Sequence, residues 1–206
     1  VKLPLTRTLT MDVTANPDFA QADVDRQIVN LTRFPLFFPV RRPFFTEGAG
    51  IFAFGREQQT QMFYSRRIGL GTDGAPQAIP AGLRMQGRFG RYQLGAIAAA
   101  TDGTESVRDG VLRIRRDVLG RGYIGAMGTY SDRASRPGAV TGGVDFRLPY
   151  IIGKGNNLEF LGNAAWSRDS AGGTVGAHYR FVVDYPNDHA DLVMRYDRVE
   201  QAYDPA

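Results

Sequence analysis

Apolar and polar residues alternate along most of this chain with a period of two, the signature of strands with one buried and one wet face. From Leu5 to Val13, Leu5, Leu9, Met11 and Val13 share one face and Thr6, Thr8, Thr10 and Asp12 the other, with Arg7 the exception. Asn16-Pro17-Asp18 stops that strand. The alternation resumes from Gln61, where Met62, Tyr64, Arg66, Ile68 and Leu70 oppose Phe63, Ser65, Arg67 and Gly69. Further strands are predicted at Gly82 to Phe89 and Tyr92 to Ala100, joined by a tight Gly90-Arg91 turn. Val111 to Val118 follows and turns back through Leu119 to Gly122 into Tyr123 to Tyr130. Val140 to Leu148, Leu158 to Ser167, Thr174 to Tyr185 and Ala190 to Tyr196 complete about ten strands of roughly eight to twelve residues.

One stretch breaks the pattern. Leu31 to Phe54 carries Phe34, Phe37, Phe38, Phe44, Phe45, Phe52 and Phe54, interrupted by Pro35, Pro39 and Pro43. Prolines at that spacing exclude a regular helix and a central strand. So many rings demand burial. The expectation is a single β domain over 1–206 in which residues 14–60 form a non-strand insertion, folded inside the sheet or across its rim. Phe19 to Asn30, ahead of it, reads as an irregular acidic arm.

Strand length and the charged face separate two architectures. Soluble strands centre on five to six residues, whereas crossing a bilayer takes about nine to eleven. Arg84, Arg88, Arg113, Arg115, Arg147 and Arg180 recur on the polar face. A transmembrane barrel turns such a face inward and its apolar face to lipid. The fold expected is therefore all-β, an antiparallel transmembrane β-barrel, in this chain an incomplete piece of one. A soluble sheet with one wet face gives the same alternation. The absence of an apolar run of about 20 residues rules out a membrane helix and leaves a barrel open.

Composition adds little more. The 206 residues contain no Cys, which removes disulfides, thiolate metal sites and a cysteine nucleophile. The 25 Lys+Arg against 21 Asp+Glu give a net charge of +4. The arginines alternate along strands instead of clustering, which argues against nucleic-acid binding.

Two stretches resemble a family. Ala15 to Phe52, with NPDF at Asn16 to Phe19, VNLTRF at Val29 to Phe34, FFP at Phe37 to Pro39, and Phe44, Phe45, Glu47 and Gly48, is similar to the domain of unknown function 5916; so is FYSRRIG at Phe63 to Gly69. Pro35 and Val40-Arg41 depart from the pattern. The resemblance implies a Gram-negative outer-membrane barrel behind an N-terminal periplasmic domain resembling family-9 carbohydrate-binding modules. It also implies outer-membrane lipid as surroundings. Val1-Lys2 reads as the end of an earlier strand, and Tyr203 to Ala206 as the start of a further motif.

Candidate chemistry centres on Arg41, Arg42, Phe44, Phe45, Glu47, Arg66 and Arg67, because arginines beside rings grip anions or sugar rings. The plainer reading is that these groups hold the segment to the wall, with Glu47 paired to Arg41 or Arg42. Asp18, Asp23 and Asp25 form a weak oxygen-ligand set. His178 and His189 lack metal-ligand spacing, and no G-x-S-x-G occurs. Glu47 and Glu57 remain open as a carboxylate pair. No cofactor is expected. The function expected is solute passage or capture, with a saccharide or anionic solute as partner. A membrane-anchored enzyme with a lumenal site, and a soluble β-domain that binds a partner through residues 31–54, are the alternatives.

Overall fold

The computed structural model describes residues 1–16, 43–55, 60–65, 68–69, 77–103, 106–133, 136–153, 155–169, 173, 175–187 and 190–204. Ten strands form one antiparallel sheet in sequential order. They are β1 (Lys2–Pro4), β2 (Leu9–Ala15), β3 (Ala78–Phe89), β4 (Tyr92–Asp102), β5 (Val107–Val118), β6 (Gly122–Arg133), β7 (Arg136–Ile152), β8 (Asn156–Asp169), β9 (Gly176–Asn187) and β10 (Ala190–Val199). Among the described residues β1 and β10 each pair with one neighbour, so the sheet is not closed into a barrel. No described helix is long and apolar enough to cross a membrane.

The two faces differ in kind because register keeps each residue class on its own side. On the outward face, two consecutive rows cross β3 to β8 without a charge. One runs Met85, Ala96, Leu112, Gly128, Gly142, Trp166 and the other Gly87, Leu94, Ile114, Ala126, Val144, Ala164. Leu112, Ile114, Val144 and Trp166 are exposed there. On the inward face, Arg88, Gln93, Arg115, Gly125, Asp145, Asn163, Arg180 and Asp197 form one polar row across eight strands. The six arginines predicted to share a face do so.

The two ends of the sheet also differ. At one end the connections are short, spanning residues 5–8, 90–91, 119–121, 153–155 and 188–189. Gly90 meets the β3–β4 turn with φ 55°, a conformation glycine adopts without strain. At the other end the β2–β3 connection takes up residues 16–77, β4–β5 residues 103–106, β6–β7 residues 134–135 and β8–β9 residues 170–175, so the ends differ chiefly by the β2–β3 connection.

Part of that long connection lies on the inward face. It holds a single helical turn, α1 (Pro43–Thr46), and a 3-10 turn at Ala49–Phe52. Phe45, Phe52, Phe54, Met62, Phe63 and Ile68 bury themselves against Ile79, Ile97, Ala99, Val111, Met127 and Ala165 of the wall. The core therefore sits inside the curve of the sheet. Residues 60–65 and 68–69 are not a strand, contrary to the alternation from Gln61. Adjacent Met62 and Phe63 are both buried, at 0% and 9% exposure, so neither lies on a wet face. The strand count is made up instead by the short β1.

Candidate functional site

The inner segment is fastened by wall side chains that grip its main chain. Arg84 on β3 is 1% exposed. Its Nη1 donates to the Phe44 carbonyl at 2.9 Å, and its Nη2 donates to the Glu47 carbonyl and to Gln86 Oε1. Arg113 on β5 is fully buried; its Nε donates to the Ile51 carbonyl at 3.2 Å and its guanidinium lies 5.6 Å from the Phe54 ring centre. Nη2 of Arg113 donates to Asp145 Oδ2 on β7 at 2.7 Å, within a pair that is 0% and 6% exposed. Burying a guanidinium is tolerable only when a charge and acceptors compensate it, and these groups supply both.

Glycines on the wall receive the segment. A side chain at Gly95 would meet Ile51 Cγ2 at 2.8 Å and the Phe52 ring at 2.9 Å. One at Gly143 would collide with Phe54 and Met62. Phe44 and Phe45 pack edge to face with centroids 4.9 Å apart.

Below the segment lies a cavity of about 790 Å³. Its ceiling is Phe45, Ala49 to Gly50, Phe52 to Gly55 and Phe63 to Ser65; its wall includes Tyr123, Asp145, Glu159, Asn163, Arg180, Asp184 and Arg195. Most of these charges are neutralised locally. Arg113 holds Asp145, Arg147 Nε donates to Glu159 Oε1 at 2.5 Å, and Arg180 lies 3.5 Å from Asp197. Asp184 and Arg195 show no ion pair among the described residues and contribute one charge of each sign. The cavity is thus polar, aromatic and electrically balanced.

The residues singled out from sequence divide. Phe44 and Phe45 belong to α1, where Phe45 is buried and lines the cavity. Glu47 follows α1 and accepts a hydrogen bond from Lys2 Nζ at 2.5 Å, with Arg84 Nη1 3.7 Å away. Lys2 and the nearby guanidinium hold its carboxyl below the usual range. Arg41, Arg42, Arg66, Arg67, Asp18, Asp23, Asp25, Glu57 and His189 lie outside the described residues, as does the arm at Phe19 to Asn30. No group of three His, Asp or Glu able to hold a metal ion occurs among the described residues.

His178 is fully buried between Asn163 and Asp197, with its Nδ1 and Nε2 each 3.1 Å from their partners. It does not line the cavity. The tail crosses it: the Tyr203 ring centre lies 5.8 Å away, and the Asp204 N–H donates to Ser167 Oγ at 2.9 Å. Bare Gly176 admits Ala202 and Tyr203. Burial pushes the Tyr203 hydroxyl up to about 12.

Sequence reasoning missed Arg84, Arg113 and Asp145 as a fastening set, and Asp184 and Arg195 as lining. The available signal was charge on the inward face opposite the Phe-rich stretch.

The fold defines a class: a ten-strand antiparallel meander with an aromatic segment packed on its charged face. Residues 1–83 match the model of the family described as Domain of unknown function (DUF5916). That match covers β1, β2, the inner segment and the first half of β3. No curated protein and no solved structure matches the chain.

Proposed function

We propose that the chain is the wall and plug of an outer-membrane β-barrel that admits or captures a small polar solute. The observation that carries this reading is the pair of uncharged outward rows set against the charged inward face. An exposed apolar surface of that extent is costly in water and is what a barrel presents to lipid. β3 to β6 run 11 to 12 residues and β7 and β8 reach 17 and 14, enough to cross a bilayer at a tilt. Phe89, Tyr92 and Tyr150 stand exposed near the short-turn end and Tyr130 toward the other, flanking the two uncharged rows as interfacial aromatics do. Closure requires the β1 and β10 edges to find partners in the full-length protein, since a spanning sheet leaves no backbone unpaired.

The balanced charge of the cavity favours a solute without net charge, a saccharide or a zwitterion, over an anion. An enzymatic role has less support. Glu159 and Asp184 stand opposite each other in register, yet Arg147 already occupies Glu159. The soluble alternative needs the Phe stretch as a free surface, whereas Phe45, Phe52 and Phe54 are each 4% exposed.

The test is electrophoretic. Detergent-extracted outer membranes from cells expressing the full-length protein are run unboiled and boiled. A closed barrel migrates differently in the two states. A single position, with the protein in the soluble fraction, removes the membrane reading.

A further inference from the structure

The cavity, the inner segment and the two unlike ends of the sheet together give the site a direction. The wall residues Tyr123, Glu159 and Asp184 lie in the half of the strands next to the short turns, with Glu159 three residues from the start of β8 and Asp184 three from the end of β9, while Asp145, Asn163, Arg180 and Arg195 line the cavity from nearer mid-strand. The other half of the lumen is filled. There the segment meets Ile79, Ile97, Ala99 and Val111 in a dry core, and Arg84 and Arg113 tie it down. That segment enters from the end where β2 leaves and β3 begins. The tail adds a second cover on the same side, with Tyr203 over His178. In outer-membrane barrels the short turns face the periplasm and the long connections face outward.

We propose that the cavity is a cup that opens toward the periplasm and is closed to the exterior by the inner segment. The protein then receives its solute, or a group carried by a periplasmic partner, from inside the cell envelope. This rests on the barrel reading, and the experiment separates the two.

The chain contains no Cys, so a single introduced thiol reports alone. Four variants of the full-length protein serve: Asp102→Cys at the long-connection rim, Arg121→Cys in a short turn, and Arg195→Cys and Ala53→Cys, both exposed in the cavity. Ala53→Cys is a small change and stands in should Arg195→Cys fail to assemble. Cells are treated with a sulfonated maleimide dye too large for general porins, before and after permeabilising the outer membrane. The proposal expects Asp102→Cys to label in intact cells, and Arg121→Cys and both cavity variants to label only after permeabilisation, with at least a tenfold rise. Cavity labelling in intact cells, with Arg121→Cys still protected, overturns the proposal while leaving the barrel in place. So does cavity thiol that stays unlabelled after permeabilisation. Labelling of Arg121→Cys with protection of Asp102→Cys means the opposite orientation and also overturns it. Recovery of all four variants free of membrane, equally reactive, sinks the barrel reading itself.

Discussion

Arg113 makes three kinds of contact from a position with no access to water: a hydrogen bond to a carbonyl, an ion pair, and a ring face. Among the described residues its Nη1 and Asp145 Oδ1 find no hydrogen-bond partner. Such a pair is vulnerable to losing one member, because the survivor is a buried, uncompensated charge. Asp145→Ala is expected to cost about 3–5 kcal/mol, read as a fall in the temperature at which the folded gel form is lost. The double variant Arg113→Met, Asp145→Leu should recover most of it. Glu47 acts under a different rule, being half exposed. Its carboxyl lies below the ordinary value of 4.5, first through the hydrogen bond from Lys2 and then through the charges of Lys2 and Arg84. A depressed carboxyl favours the folded arrangement above its ordinary value, and the contribution fades as pH falls through the lowered one. Hydrogen exchange at Phe44 to Ile51, corrected for intrinsic pH dependence, should therefore quicken as pH falls below the ordinary carboxyl value of 4.5 and through the lowered one. Glu47→Gln should remove that dependence. Neither set of partners is legible in sequence, because Lys2 is 45 residues from Glu47 and Arg113 is 32 from Asp145. Only the summed register of the intervening strands brings them together.

At the level of elements, the period-two alternation placed β2 to β10 within a few residues, because one charged face and one apolar face leave a strand a single orientation. The stretch from Gln61 defeated that reasoning. Its alternation matches a strand, but the buried side chains of adjacent Met62 and Phe63 both enter the core inside the sheet, and among the described residues no strand pairs with it. The inner segment and the wall fit as shapes, and Gly95 tests the fit. A Leu at position 95 points into the lumen against Ile51 and Phe52 without touching strand pairing. Gly95→Leu is expected to keep heat-modifiable migration, to expose residues 49–55 to protease, and to raise solute leak several-fold in a liposome swelling assay. Gly110→Leu serves as the control, since the nearest atom to a side chain there is Ile97 O at 3.9 Å. Equal leak in both variants would mean that the segment does not restrict the lumen.

The whole molecule is a sheet with two skins. The outward skin is apolar over two rows, and the inward skin is charged but largely paired: Arg147 with Glu159 and Arg180 with Asp197 across neighbouring strands, and Arg88 with Asp117 across one intervening strand. The sequence announced the skins, and the Phe/Pro stretch announced that something filled the curve. It did not announce the cavity, which depends on how far the segment penetrates and so on contacts distributed over six strands.

The wall holds its insert by carbonyl oxygens of Phe44, Glu47 and Ile51. A carbonyl is the same on every residue. Side chains that the segment turns toward the cavity, such as Ala49 and Ala53, take no part in those bonds, so substitution there leaves the tether in place. The lining of the cavity can thereby be altered by substitution in a short stretch while the scaffold stays the same, as a lock is rekeyed by changing its pins and leaving its case alone.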